Sequence, residues 1–306
     1  MKKDKILPYC VNSISEQHRI LSLPKPQHPL ISVFDFKDIK NNNDELSNHF
    51  TLNFYCIAIK KNFKGKFKYG QNYYDFDEGV MSFISPGQLL SVVENDDSPT
   101  EGCCLVFHPD FIANYPLAKN IKNYGFFSYA LNEALYLSEK EELLVENVMK
   151  NIKNEYNSGI DIYTQDVLIA HIELLMNYAN RFYNRQFITR KSASNGTLIQ
   201  LEQILSDYFT TEKVQAMGLP TVHYISEKLN ISPNYLSDML RLLTGQSTQQ
   251  HIHNKLIEKA KEFLATSHLS VSEIAYQLGF EHPQSFNKLF KSKTNISPLE
   301  FRASFN

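Results

Sequence analysis

The chain has 306 residues, 42% of them hydrophobic, and a formal net charge of -2. This content excludes a disordered chain, the length suggests two domains that can each bury a core, and the near-zero charge gives no global sign of nucleic-acid binding. No apolar run reaches the roughly 18 residues of a membrane span, and the basic start MKKDKILPYC lacks an apolar signal core. Cys10, Cys56, Cys103 and Cys104 form no CxxC and no ligand cluster with histidine, so a reduced, cytoplasmic chain is expected.

Residues 1 to about 25 read as an irregular arm running into Pro24, Pro26 and Pro29, a loosely held terminus. From 30 to about 107 the signals are β. Short runs rich in Phe, Tyr, Ile and Val lie at 31–36, 50–60, 64–70, 72–79, 80–86, 89–94 and 102–108, with loops at 41–44 and 94–98. Strands at this spacing suggest a small barrel or sandwich. Phe54, Tyr55, Phe63, Phe67, Tyr69, Tyr73, Tyr74, Phe76 and Phe83 crowd this half. They read either as ordinary barrel core or as the wall of an apolar effector pocket. His49 and His108 stand alone.

Helices follow. Ser138 and Glu141 have the spacing of a capping box, and Leu144, Val148 and Ile152 carry one face to about 156. After Asn157-Ser158-Gly159, Asp161 opens a second helix with an apolar stripe of Val167, Leu168, His171, Leu174, Leu175, Tyr178 and Phe182. The polar, basic stretch RQFITRKSASNG at 185–196 reads as a domain linker. The next helix starts near Leu198, with Leu201, Ile204, Leu205 and Tyr208 inward.

The last third holds one pattern twice. Val222, Ile225 and Leu229 match Val271, Ile274 and Leu278 at an offset of 49 residues. Past one extra residue near Glu281 and His282, the offset is 50: Pro233 matches Pro283, Leu236 matches Phe286, and Met239 and Leu240 match Leu289 and Phe290. Each copy reads as a short amphipathic helix, a turn at Asn230 or Gly279, and a second helix opened by proline at its first position. The apolar stripe leaves Asn234, Tyr235, Ser237, Asp238 and Arg241 on the outer face of the first copy. In the second it leaves Gln284, Ser285, Asn287, Lys288 and Lys291. That is the layout of a helix-turn-helix, whose second helix enters the major groove. Asn and Gln suit adenine edges, and Lys and Arg suit guanine or phosphate. A helix at 248–265, with Ile252, Leu256, Ala260, Phe263 and Leu264 on its apolar side, joins the copies. Its length of roughly 27 Å is close to the roughly 34 Å between successive major-groove turns. Residues 197–306 carry ten basic and ten acidic residues, but in 283–306 Lys288, Lys291, Lys293 and Arg302 face only Glu300. The positive charge is local, which predicts modest nonspecific affinity.

The segments ISPNYLSDMLRLLTG, HIHNKLIEKAKEFL and VSEIAYQLGFEHPQSFNKLFKSKTNISPLEFR resemble the DNA-binding domain of the AraC/XylS transcription regulators, over about the last 105 residues. The resemblance implies seven helices, with reading helices at about 233–243 and 283–293. Three departures stand out: Asp238 where the family often has a basic residue, Asn295 in place of the usual glycine, and a spacer with Lys259 and Lys261 but no arginine. FDEGVMSFISPGQLL is similar to the strand-turn segment of the cupin-type sensor domains of AraC-like regulators, which implies a jelly-roll barrel over 30–110 with a ligand cavity. Leu90 stands where metal-binding cupins often carry histidine, so neither metal nor cofactor is expected. In this family an N-terminal arm can close over an effector, and a helix pair like that after 138 commonly mediates dimerisation.

The expected fold class is α+β: an N-terminal cupin-like β-barrel with a helical pair over 1–184, a linker at 185–196, and an all-α domain of two helix-turn-helix motifs joined by a linker helix over 197–306. The expected function is a sequence-specific DNA-binding regulator, an activator by family resemblance. Its expected partners are double-stranded DNA, a second copy of the chain, a small-molecule effector and RNA polymerase. The alternative is a cupin-type metal-dependent enzyme with a helical appendix; it needs a ligand cluster that the sequence lacks, and no G-x-S-x-G, HExxH or phosphate-cradling loop occurs. A third reading is a sensor that works only through protein partners.

Overall fold

The computed structural model describes residues 9–40, 49–61, 67–69, 72–74, 79–91, 101–130, 133–159, 161–189, 191–210 and 213–304. The loops expected at 41–44 and 94–98, and Phe63 and Phe76, lie outside the described residues. The chain is α+β and divides into two compact units, Met1–Gln186 and Phe187–Asn306. No described helix is long and apolar enough to cross a membrane.

The first unit contains β1 (Tyr9–Val11), α1 (Ile14–Ile20), β2 (Ile31–Asp35), β3 (His49–Leu52), β4 (Tyr55–Lys61), β5 (Phe67–Tyr69), β6 (Asn72–Tyr74), β7 (Val80–Ile84), β8 (Leu89–Ser91) and β9 (Glu101–Phe107). Then come α2 (Pro109–Ile112), α3 (Leu117–Asn120), β10 (Leu135–Tyr136), α4 (Glu139–Asn157) and α5 (Thr164–Thr189). One sheet runs β10-β7-β4-β9-β2 and a second runs β1-β3-β8. Both contribute to one core: Val11, Leu52 and Leu90 meet Phe34, Cys56, Ala58, Cys104 and Val106. Strand β4 is buried on both faces, because Ile57 and Ile59 point the other way and are also buried. That accounts for its unbroken apolar run.

The stretch 50–60, expected as one strand, is two strands in different sheets. Leu52, Phe54, Cys56 and Ala58 all enter the same core, so the period of two runs through the bend and hides the change of sheet. The arm also departs from expectation. Strand β1 pairs in parallel with β3, Val11 with Leu52, and Val11, Ile14 and Ile20 are core residues. The Ser13 hydroxyl accepts from Glu16 N at 3.1 Å, capping α1. Tyr9 donates to Glu16 at 2.6 Å, and buried His18 joins Ser32 at 2.9 Å. The β1–β3 pairing and the His18–Ser32 bond join residues far apart in the sequence, so local composition does not reveal them.

In α4, Ser138 N donates to Glu141 Oε2 at 2.9 Å, as the capping box requires. The buried face is Val145, Val148, Met149, Ile152 and Tyr156, while Leu144 is exposed. Asp161 Oδ1 accepts from Tyr163 N and Thr164 N ahead of α5. Gln186 continues the sheet edge, accepting from Tyr136 N at 2.8 Å and donating to Ala134 O at 3.3 Å.

The second unit holds α6 (Lys191–Thr210), α7 (Lys213–Met217), α8 (Val222–Leu229), α9 (Pro233–Thr244), α10 (Thr248–Thr266), α11 (Val271–Gln277), α12 (Pro283–Thr294) and α13 (Pro298–Ala303). These are eight described helices where the resemblance implied seven. The stretch read as a linker, 185–196, is helical on both sides of residue 190. Ser194 is buried and donates to Phe187 O at 3.3 Å. Tertiary packing thus overrides the weak helix preference of the Ser, Asn and Gly there. Helix α10 packs against α6, α9, α11 and α13. Its Leu256, Ile257, Ala260 and Leu264 share a core with Ile274, Leu278, Phe286 and Phe290.

Tyr235, expected on the outer face of α9, is instead 2% exposed. Its ring meets Phe187 edge-on at 4.9 Å between centroids. The buried stripe is Tyr235, Leu236, Met239 and Leu240, one position wider than the three-residue stripe the spacing suggested. Tyr235→Ala is therefore expected to cost about 3 kcal/mol of stability through the cavity it opens. An unchanged urea-unfolding midpoint would contradict that packing.

Gly279 ends the first helix of the second motif at φ +85°, and a Cβ there would meet Gly218 C and Val214 Cγ1 at 2.9 Å. Gly245 has φ +74° but open space around it. Gly279→Ala is expected to destabilise by about 2–4 kcal/mol, from left-handed strain plus crowding. Gly245→Ala should cost only about 1–2 kcal/mol, from strain alone. Equal shifts in the urea midpoint would show that the close approach carries no weight.

Candidate nucleic-acid interface

Two helix pairs, α8–α9 and α11–α12, repeat one construction. In the first, Thr221 Oγ1 accepts from Tyr224 N at 3.1 Å at the start of α8. Asn230 then turns the chain at φ 55°, ψ 39°, and the Ser232 hydroxyl accepts from Tyr235 N at 3.3 Å ahead of Pro233. In the second, Ser270 and Glu273 cap α11 reciprocally at 2.6 and 3.2 Å, and Gly279 makes the turn. Pro283 opens α12 behind His282, whose side chain makes no cap bond. Asn295 closes α12 at φ 66°, the left-handed conformation that glycine would otherwise supply.

The inner faces differ in bulk and the outer faces in charge. Helix α9 buries Tyr235, Leu236, Met239 and Leu240, and α12 buries Phe286 and Phe290. On the outer side of α9, Asn234 and Arg241 are exposed, while Ser237 and Asp238 are half-buried. The Ser237 hydroxyl meets Thr248 Oγ1 at 3.0 Å, so it is engaged inside the domain. Arg241 Nη1 donates to Asp238 Oδ1 at 2.9 Å, one turn away. On α12, Gln284, Ser285, Asn287, Lys288 and Lys291 are all exposed, and Lys291 interacts electrostatically with Glu300. Of the ten positions assigned to the outer faces, Tyr235 alone is buried.

The two helices are electrostatically unequal. Helix α9 carries one acid and one base, Asp238 and Arg241, already paired. Helix α12 carries Lys288, Lys291 and Lys293 and no acid. Lys291 and Lys293 also sit in its last turn, where the helix dipole favours cations. A surface pair like Asp238–Arg241 is worth only about 0.3–0.5 kcal/mol, so a phosphate could draw Arg241 away at small cost.

One contact escaped the sequence reading. Asn254 on α10 donates to Gln246 at 2.8 Å and accepts from Lys293 at 3.5 Å, which ties the end of α9 to the end of α12 through the spacer. No local signal could reveal it, since Lys293 is 39 residues from Asn254. Beside it, burial and then the Lys293 charge lower the pKa of His253.

A family model described as a helix-turn-helix domain matches residues 225–304. The chain is 33% identical over 81 residues to the Msm operon regulatory protein of Streptococcus mutans, covering 26% of this chain and 29% of that protein. It is 32% identical over 78 residues to the HTH-type transcriptional activator RhaS of Escherichia coli, covering 26% and 28%. The chain thus spans less than a third of the length of these two relatives. The crystal structure of the C-terminal domain of the two-component response regulator yesN from Fusobacterium nucleatum is 33% identical, with a TM-score of 0.31, covering 35% of this chain and 98% of that one. The duplicated motif, its turns and this matched span agree: the C-terminal unit is an AraC-type helix-turn-helix domain, similar over this span to those of transcriptional regulators.

Proposed function

We propose that the chain binds double-stranded DNA at specific sites and activates transcription, with the N-terminal unit as sensor and dimerisation domain. The observation that carries this reading is the pair of matched helices, α9 and α12, each with a polar ridge over a buried apolar stripe. In this mechanism α12 supplies most of the affinity through Lys288 and Lys291 and reads bases through Gln284 and Asn287. Helix α9 contributes Asn234 and, once released from Asp238, Arg241. Ser285 is close enough in sequence to share the α12 contact, whereas Ser237 and Asp238 act by positioning their neighbours. An activator further implies contact with RNA polymerase.

A cavity of about 290 Å³ between the two sheets is the proposed effector site. Phe34, Phe36, Phe50, Leu52 and Leu90 give it an apolar wall, and Gln17, Ile20 and Leu21 of the arm close one side. Buried Gln17 Oε1 has no hydrogen-bond partner among the described residues, so a donor on the ligand would satisfy it. An effector that favours one arrangement of this wall shifts the population of DNA-competent chains.

The dimer contact is assigned to the outer stripe of α5 and the residue that precedes it. Tyr163, Val167, Ala170 and Leu174 recur at helical spacing and are exposed. A second copy covering them would remove apolar area from water.

Two measurements follow. In gel shifts on a duplex selected from random sequence, Gln284→Ala and Asn287→Ala should each cost about 1–3 kcal/mol and relax preference at one or two base pairs. Lys293→Ala should weaken all sequences alike. Uniform losses from the Gln284 and Asn287 changes would contradict base reading. By sedimentation equilibrium, the wild-type chain should be a dimer and Leu174→Glu shifted to monomer; a variant that stays dimeric would remove α5 from the contact.

A further inference from the structure

Cys56 on β4 and Cys104 on β9 point into the same core, because Cys56 lies opposite Val106 and Cys104 opposite Ala58. They are diagonal neighbours across one antiparallel pair. Their sulfurs are 3.2 Å apart, and both line the 290 Å³ cavity. Cys103, next in the chain, faces the opposite side of the sheet beside Asp35, Glu146 and Lys153. The strand thus separates one thiol from the pair.

We propose that Cys56 and Cys104 form a reversible oxidation site in the cavity wall, closing to a disulfide at the expense of a small apolar hydroperoxide. A disulfide has its sulfurs about 2.05 Å apart, so the 3.2 Å contact must close by about 1.2 Å, and the diagonal placement requires the two strands to shift towards each other as it does. The step balances. The Cys56 sulfur attacks the terminal oxygen of the hydroperoxide, the O–O bond breaks, and the alkoxide leaves as an alcohol with the thiol proton. Cys56 is then a sulfenic acid, which condenses with a neighbouring thiol. The Cys104 sulfur attacks it, the S–S bond forms, the S–O bond breaks, and hydroxide leaves as water with the Cys104 proton. Two thiols lose two electrons, and the O–O bond gains them.

The hydrogen bond between the two sulfurs, and then burial, push the Cys104 thiol well above its usual range; either sulfur can be the donor, so the attacking and resolving roles can be exchanged. The apolar wall concentrates an organic oxidant and disfavours hydrogen peroxide, which water solvates better. A reductant of the dithiol class reverses the bond by exchange. The regulatory consequence, a change in DNA affinity, rests on the sensor reading above; the chemistry does not.

The test uses the full chain. Wild-type protein is treated with cumene hydroperoxide or hydrogen peroxide at equal concentration, denatured in an alkylating reagent, and mapped by peptide mass spectrometry. The expected result is loss of two alkylatable thiols, a Cys56–Cys104 linkage reversed by dithiothreitol, and formation at least tenfold faster with cumene hydroperoxide. Four alkylatable thiols after treatment, or a linkage through Cys103, would overturn the proposal. Equal rates with the two peroxides would overturn its apolar oxidant. The Cys10→Ser/Cys103→Ser double variant should still form the linkage. If the linkage forms and gel-shift affinity does not change, the dithiol chemistry stands and the sensor reading falls.

Discussion

Everything in the C-terminal unit depends on how α10 is buried. Nineteen residues long, it starts at a reciprocal cap between Ser247 and Gln250 and sets Ile252, Leu256, Ile257, Ala260 and Leu264 inward. Its inward face is shared: α6 and α9 pack on it, and so do α11 and α13. One helix therefore serves both helix pairs, and its Leu256, Ile257, Ala260 and Leu264 pack with Ile274, Leu278, Phe286 and Phe290. The Gln246–Asn254–Lys293 link reinforces the same joint from outside. A rigid spacer matters because two loosely tethered reading helices would have to be ordered at the moment of binding, at an entropic cost that lowers affinity.

The duplication is one of frame, not of surface. Both motifs turn at a left-handed residue, start the second helix with proline, and close it with Gly245 or Asn295. Upon that common frame, α9 carries a self-paired acid and base, while α12 carries three lysines and two amides and no acid. Charge attracts any sequence and amides select among sequences. The second motif combines both properties, and the first has little of the charge until Arg241 leaves Asp238. This asymmetry is the physical basis for expecting unequal half-contacts on DNA.

Much of the C-terminal unit was legible because its constraints are local. The apolar periodicity, the prolines that open the second helices, and the turns at Asn230 and Gly279 all announce themselves within four residues. Asn295 in the left-handed region follows from its tolerance of that conformation. Tyr235 was misread because a stripe inferred from Leu236, Met239 and Leu240 fixes its centre but not its width; the width depends on Phe187, 48 residues earlier in the chain. The N-terminal unit was less legible for the same reason. Val11 pairs with Leu52, His18 with Ser32, and Cys56 with Cys104, all partners that local patterns do not encode. The run at 50–60 hid a change of sheet because its inward residues keep their alternation through the bend. The stretch at 185–196 looked like a linker by composition and is helical by packing.

The central claim is that α9 and α12 read one face of the same duplex. Guanine-methylation interference on a selected binding site tests it most directly, since the methyl group projects into the major groove. The account predicts two patches of interference centred about 10 base pairs apart, on the same face of the helix. The patch read by α12 should show the stronger effect. A single patch, or two separated by a half turn and so on opposite faces, would contradict it.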